Sequence, residues 1–178
     1  MNIAKVKNFT MYRFIKNYEF KTPPKEISYE NGEPLELSNQ FSFYHNKNLF
    51  RKELNRLQYL FKQYTGDSLV AAGIRDSYLE EKYTENFLII LFTTNDIIKN
   101  ANEIIKNFTI KSYDPGSFYL KSTSKYILLI TKDMKGLISG IDVLEDIFTQ
   151  TFEDYIKQEA FEDFVKIRPF SLYISSVD

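Results

Sequence analysis

Residues Ser117–Phe148, SFYLKSTSKYILLITKDMKGLISGIDVLEDIF, constrain the fold of this chain more than any other stretch. Ser117–Lys121 and Lys125–Thr131 are rich in β-branched and aromatic side chains, and Ser122-Thr123-Ser124 separates them, so the pair predicts a short hairpin. The second strand, Tyr126-Ile127-Leu128-Leu129-Ile130, is apolar without alternation, and such a run is expected to be covered on both faces. Asp133 then stands where its carboxylate can accept from the first N–H groups of a helix. The apolar residues of that helix, Leu137, Ile138, Ile141, Leu144, Ile147 and Phe148, recur at helical spacing. Gly136 and Gly140 each cost about 1 kcal/mol relative to alanine at a solvent-facing helical position, so close packing on a strand is the expected compensation.

The run Gly136-Leu137-Ile138-Ser139-Gly140-Ile141-Asp142-Val143-Leu144, following a strand and a charged turn, resembles a G-hydrophobic-x-G-hydrophobic-x-x-L helix. That helix closes the small N-terminal α+β domain preceding the catalytic barrel in β-N-acetylhexosaminidases and related glycoside hydrolases of families 20 and 84. Ile138-Ser139 replaces the usual aromatic before the second glycine. A second patch, Thr22-Pro23-Pro24-Lys25-Glu26-Ile27-Ser28-Tyr29 with Gly32 and Leu35-Glu36-Leu37, resembles the opening of the same domains, where a P-x-P segment leads into two short strands. Its prolines fix an extended entry, and Asn31-Gly32 offers the positive φ angles of a tight hairpin turn. Together the two patches span about residues 20–150.

The resemblance implies an α+β fold, a mixed β-sheet with amphipathic helices mainly on one face. In the related hydrolases this arrangement has been likened to zinc peptidases, a zincin-like topology. It also implies a non-catalytic accessory role, bracing a barrel. Nothing in the chain resembles the barrel itself. Family domains pass into the barrel through an Asp-x-Pro segment, whereas Ile167-Arg168-Pro169-Phe170 lacks that aspartate.

The remaining elements fit one domain over residues 1–178. Residues 1–20 read as an N-terminal arm or strand, 20–150 as the accessory-domain region, and 151–178 as an added helix followed by a closing strand over Ile167–Ile174. Phe41–Tyr44 is a predicted strand, after which Asn46 or Asn48 caps a helix carrying Leu49, Phe50, Leu54, Leu57, Leu60, Phe61 and Tyr64, ended by Gly66. Ser68–Ile74 and the most apolar run, Phe87–Phe92, read as strands, the latter central. Asn95 or Asp96 starts another helix with Ile97, Ile98, Ala101, Ile104 and Ile105, and Asp114-Pro115-Gly116 is a turn.

Charge narrows the partners. With 23 basic and 24 acidic side chains there is no net field to draw in nucleic acid or an anionic membrane. Phe9, Tyr12, Phe14, Tyr18 and Phe20 alternate with Lys5, Lys7, Arg13 and Lys16, a pattern that suits single-stranded nucleic acid; in a chain this neutral an arm across the domain is preferred. No run reaches the roughly 20 apolar residues of a membrane span, and Met1–Phe20 lacks the core and cleavage site of a signal peptide. A soluble chain is expected. The absence of cysteine removes disulfides and thiolate chemistry without choosing a compartment. The sequons Asn8-Phe9-Thr10 and Asn107-Phe108-Thr109 read as accidental.

No catalytic, cofactor-binding or metal-ligating residue is assigned. Hexosaminidases of these families use barrel carboxylates that converge on one sugar, with the substrate's own acetamido carbonyl as nucleophile. The acid pairs here are Glu80-Glu81, Glu145-Asp146, Glu153-Asp154 and Glu162-Asp163; the last three fall on predicted helices, where neighbours point about 100° apart. The single histidine, His45, has no second histidine to complete a metal site, so a local hydrogen-bonding role is expected. Carbohydrate is a candidate ligand on exposed members of the 13 tyrosines.

The expected partner is therefore a catalytic barrel in cis, lying beyond this chain if the chain is a fragment. The competing expectation is a stand-alone protein- or glycan-binding module, single or oligomeric, with an apolar sheet face open to a partner. Phe170, Leu172 and Tyr173 are its candidate surface residues, against the alternative of an ordinary packed strand. An independent enzyme would need a pocket of converging polar groups that the linear sequence does not reveal.

Overall fold

A computed structural model describes residues 13–24, 26–37, 41–45, 50–67, 71–73, 87–92, 114–159 and 165–174. Its strands are β1 (Glu26–Tyr29), β2 (Leu35–Leu37), β3 (Ser42–His45), β4 (Ala71–Gly73), β5 (Phe87–Phe92), β6 (Phe118–Ser122), β7 (Tyr126–Thr131), β8 (Val165–Ile167) and β9 (Phe170–Ile174). Two helices are described, α1 (Arg51–Thr65) and α2 (Met134–Lys157). Seven strands form a mixed sheet in the order β1-β9-β6-β7-β5-β3-β4, antiparallel from β1 to β7 and parallel from β7 to β4. β2 and β8 pair separately. The expected α+β class with a mixed sheet is what the chain adopts.

The β6–β7 hairpin has Phe118 opposite Thr131 and Ser122 opposite Ile127. Its turn is fixed by Thr123, whose N–H donates to the Tyr126 carbonyl at 2.9 Å and whose Oγ1 accepts from the N–H groups of Lys125 and Tyr126. Every residue of β7 is buried. Leu129 faces α2, and Leu128 and Ile130, on the opposite face by strand alternation, are fully buried too, so both faces are covered as the unbroken apolar run requires. β5 lies inside the sheet between β7 and β3.

The Asp133 carboxylate fixes the start of α2. One oxygen accepts from the Gly136 N–H at 2.7 Å and the other from the Gly116 N–H at 2.6 Å, so the cap also ties down the Asp114–Gly116 turn, where Gly116 has φ 76°. A Cβ on Gly136 would fall on the Ser117 carbonyl and Thr131 Oγ1, and one on Gly140 would lie 2.6 Å from Leu129 Cδ1. Both glycines therefore let the helix approach the sheet. Leu137, Ile141, Leu144, Ile147 and Phe148 are buried, whereas Ile138, at the margin of the stripe, is 41% exposed. α1 packs beside α2 through Phe61, whose ring meets Phe41, Phe43, Phe148 and Phe152 at 4.9–6.2 Å between centroids. Gly66, at φ 83°, ends α1 with its N–H on the Lys62 carbonyl.

Several local expectations give way. Residues from Thr151 do not begin a new helix; α2 runs unbroken to Lys157 because no breaker interrupts the periodicity, and Thr151 is buried with its hydroxyl donating to the Ile147 carbonyl at 2.7 Å. The closing strand is split at Arg168-Pro169 into β8 and β9, since proline has no N–H for a ladder. Asn31-Gly32 makes no hairpin. β1 pairs with β9 and β2 with β8, and the Glu30 N–H donates to the Pro169 carbonyl at 3.0 Å, so the two segments step together from the large sheet to the small one. Positive φ among the described glycines is confined to Gly66 and Gly116, not Gly32. Phe50 occupies the N-cap of α1 without a side-chain cap bond. Asn46, Asn48 and the helix expected from Asn95 lie outside the described residues.

Candidate functional site

The polar surface with the most structure lies where α1, α2 and residues 13–24 meet. The Arg56 guanidinium on α1 spans to α2, donating to both oxygens of Glu145 (Nε 3.0 Å, Nη2 2.6 Å) and to Asp142 Oδ1 (2.6 Å). These two carboxylates hold the guanidinium above its ordinary pKa. One residue further along α2, Asp146 turns the other way and meets Lys21 twice, accepting from its N–H at 3.2 Å and pairing with Nζ at 3.2 Å. Lys21, Arg56, Tyr59, Leu60, Gln63, Glu145, Asp146, Thr149 and Gln150 enclose an open depression of about 380 Å³. Tyr59 stands on its rim at 72% exposure.

Residues 13–21 form an arm antiparallel to α2, held by a ladder of polar side chains four residues apart. Gln150 accepts from the Glu19 N–H (2.9 Å) and donates to the Glu19 carbonyl (2.7 Å). Gln158 does the same for Arg13, at 3.1 and 2.8 Å, and is itself steadied by Asp154 at 2.6 Å. Arg168 donates to the Lys16 carbonyl from the loop before β9. Tyr18 anchors the middle. Its backbone N–H donates to Tyr29 Oη at 2.8 Å, its hydroxyl lies 3.3 Å from Thr151 Oγ1, and its ring meets Phe170 edge-on at 6.0 Å. Burial pushes the Tyr18 phenol well above the usual tyrosine range.

The acid pairs are thus split by the helix. Glu145 serves α1 and Asp146 the arm, while Glu153 accepts from Tyr64 Oη at 3.0 Å and Asp154 faces Gln158. Glu145, Asp146 and Glu153 thus join α2 to other elements, and Asp154 bonds to the C-cap of its own helix. Glu80-Glu81 and Glu162-Asp163 lie outside the described residues. His45, at the end of β3, is buried, with its ring edge-on to Phe50 at 5.4 Å. Among the described residues no cluster of three His, Asp or Glu side chains is placed to hold a metal, and no helix is long and apolar enough to cross a membrane. Phe170 and Leu172 are not surface residues: both are 1% exposed, because β9 is an interior strand between β1 and β6. Among the described residues the exposed large apolar side chains are Tyr59, Ile138 and Ile156, all on helices.

Sequence reasoning passed over Arg56, Gln150 and Gln158. The signal was present as Asp146, Gln150, Asp154 and Gln158, an unbroken i, i+4 polar row beside the apolar stripe. Such a row reads as an ordinary solvated face until a second segment is known to lie along it.

No family model and no curated protein sequence matches the chain. Solved structures match its fold. The structure of CpGH84D covers 90% of this chain with 24% of its own, at 15% identity and a TM-score of 0.58. The family 20 β-N-acetylhexosaminidase of Streptomyces coelicolor A3(2) covers 85% with 25% of its own, at 10% identity and 0.56, and a Flavobacterium johnsoniae chitobiase 85% with 20%, at 11% and 0.52. At these identities the likeness is one of fold. The chain spans a fifth to a quarter of the length of these structures. The resemblance read from the glycine helix and the proline entry thus extends to the three-dimensional arrangement: this α+β fold recurs as a part of family 20 and family 84 hexosaminidases.

Proposed function

We propose that this chain is the non-catalytic accessory domain of a glycoside hydrolase acting on N-acetylhexosaminides, placed ahead of a catalytic barrel and bracing it. The observation that supports this reading is the asymmetry of the structural match: 90% of this chain corresponds to only 24% of CpGH84D, which leaves most of that protein for the catalytic part. The helical surface of the described fold agrees with a bracing role, since its carboxylates are engaged in joining α1, α2 and the arm. The barrel rests on the helical layer. Ile138 and Ile156 are 18 residues apart on α2, five full turns, and so share one outward stripe, with Tyr59 exposed on the adjacent α1.

The same exposed side chains favour a second reading, a stand-alone module that binds a protein or a glycan, with Tyr59 as an aromatic platform. One experiment separates the two. Antibodies raised against this chain are used to isolate the endogenous protein, whose polypeptide mass and N-acetylhexosaminidase activity are measured. The accessory reading expects a polypeptide several times the 21.1 kDa of this chain, with activity. A 21.1 kDa polypeptide that brings down no hydrolase sinks it and leaves the binding module.

A further inference from the structure

Asn31-Gly32 forms no hairpin, so the strongest turn signal of the chain is left without a structural task. Asparagine followed by glycine also carries a chemistry of its own: the glycine nitrogen can close a five-membered ring on the asparagine amide carbon, and no β-carbon screens it. Ring closure requires that the nitrogen come within about 3–3.5 Å of the carbon it attacks, so it depends on the freedom of both groups. Here both are free. Asn31 and Gly32 are exposed in the loop between β1 and β2, and among the described residues neither the Asn31 amide nor the Gly32 N–H has a hydrogen-bond partner. The other described asparagines, Asn17 and Asn55, are held. The Tyr18 N–H, which would attack Asn17, donates to Tyr29 Oη at 2.8 Å, and the Arg56 N–H, which follows Asn55, belongs to the ladder of α1. In the whole sequence no other asparagine precedes a glycine.

We propose that Asn31 is a site of spontaneous covalent modification, converting to isoaspartate and aspartate through a cyclic imide with Gly32. The Gly32 nitrogen gives up its proton and bonds to Asn31 Cγ, and the Cγ–Nδ2 bond breaks, with Nδ2 leaving as ammonia. Water then opens the ring. Breaking the new N–Cγ bond gives aspartate, whereas breaking the bond between that nitrogen and the Asn31 main-chain carbonyl carbon gives isoaspartate. Nothing is oxidised or reduced: an amide and a water become a carboxylate and an ammonium ion. The product places a negative charge between Glu33 and Glu30, the latter paired with Lys121 at 3.5 Å. In the isoaspartyl form it also adds a carbon to the main chain where this segment steps from β9 to β8. The chemistry needs neither a barrel nor a binding partner.

The intact chain is kept at body temperature in mildly alkaline buffer, where the glycine N–H gives up its proton more readily, and is sampled over weeks by peptide mass spectrometry. Fragmentation separates the two isomeric products. Conversion at Asn31 is expected to be at least about tenfold faster than at Asn17 or Asn55, a barrier lower by about 1.4 kcal/mol or more. The same chain unfolded in guanidinium chloride supplies a reference, and Asn31 in the folded chain is expected to react within about tenfold of that rate. Gly32→Ala sets a methyl beside the attacking nitrogen and is expected to slow conversion about tenfold. It leaves the fold in place, because Gly32 has no positive φ and the added Cβ would lie 3.9 Å from Pro169 Cγ, an ordinary contact. Three results would each overturn the proposal: conversion at Asn31 no faster than at Asn17 and Asn55, a rate in the folded chain more than about tenfold below the unfolded one, or a rate unchanged by Gly32→Ala.

Discussion

Residues 114–157 and residues 13–37 are held in place by opposite kinds of contact. In the first segment the bonds that define the hairpin and the start of α2 close within 17 residues: Thr131 to Ser117, Asp133 to Gly116, Gly136 to Asp133. In the second, apart from the Tyr18 N–H on Tyr29 Oη 11 residues away, the arm's partners lie between 125 and 152 residues away, and Glu26 and Leu35 pair with Tyr173 and Ile167. Closing long loops costs entropy before any contact repays it, so the hairpin–helix unit can form from its own residues while the arm and β1 need α2 and β9 already in position. The domain is a locally specified centre with a remotely specified wrapping.

Phe170→Ala tests that division with the largest effect. The ring is 1% exposed and lies at the point where Tyr18, Tyr29 and β9 meet, so its removal leaves a cavity and is expected to cost about 3–5 kcal/mol, read as a lower urea midpoint. If the wrapping forms late, most of the loss appears in a faster unfolding rate. An equal slowing of folding would place β9 with the hairpin and dissolve the distinction.

Gly136→Ala acts on the local centre. The added methyl meets backbone and a hydrogen-bonded hydroxyl, Ser117 O and Thr131 Oγ1, neither of which can swing aside, so a net loss of about 2 kcal/mol is expected despite the better helix propensity of alanine. Gly140→Ala meets no backbone, only the buried Leu129 side chain, with Cδ1 at 2.6 Å, Cδ2 at 2.9 Å and Cγ at 3.3 Å, and is expected to cost less, about 1 kcal/mol. Equal effects in thermal or urea unfolding would show that the close approach at Ser117 is not what the first glycine serves.

How far the sequence could be read follows the same division. The hairpin, the Asp133 cap, the Gly66 stop and the interior place of β5 were legible because their determinants lie within a few residues of the elements they set. Asn31-Gly32 misled because a turn-forming pair does not say whether its flanking strands have better partners elsewhere; Leu35 and Leu37 had Ile167 and Val165. Phe170 and Leu172 resembled a surface only while β1 was not known to cover that edge of β9. The polar row from Asp146 to Gln158 gained meaning from an arm more than a hundred residues upstream. None of these misreadings was a failure of propensity; each lacked a partner that topology supplies.

The arm can also be probed by pH, with a smaller effect. Burial raises the Tyr18 phenol above its ordinary value of 10.0 in the folded chain, and burial likewise raises Tyr119 and Tyr126. A folded pKa above the unfolded one means that the unfolded chain loses its proton first. The tyrosine contribution is therefore complete below about pH 10 and is lost as pH rises from there toward the folded values, by about 1.4 kcal/mol per pH unit for each such tyrosine. Tyr18→Phe keeps the ring against Phe170 and removes the titrating group; Thr151 retains its bond to the Ile147 carbonyl, so the expected loss at pH 7 is under about 1 kcal/mol. Above pH 10 the variant should lose stability less steeply than the parent, by one proton's worth of slope. Parallel curves would mean that Tyr18 ionises as readily folded as unfolded, as it would if the arm leaves α2 before the domain unfolds, and the arm would then be a separate unit of stability from the β1–β9 pairing beside it.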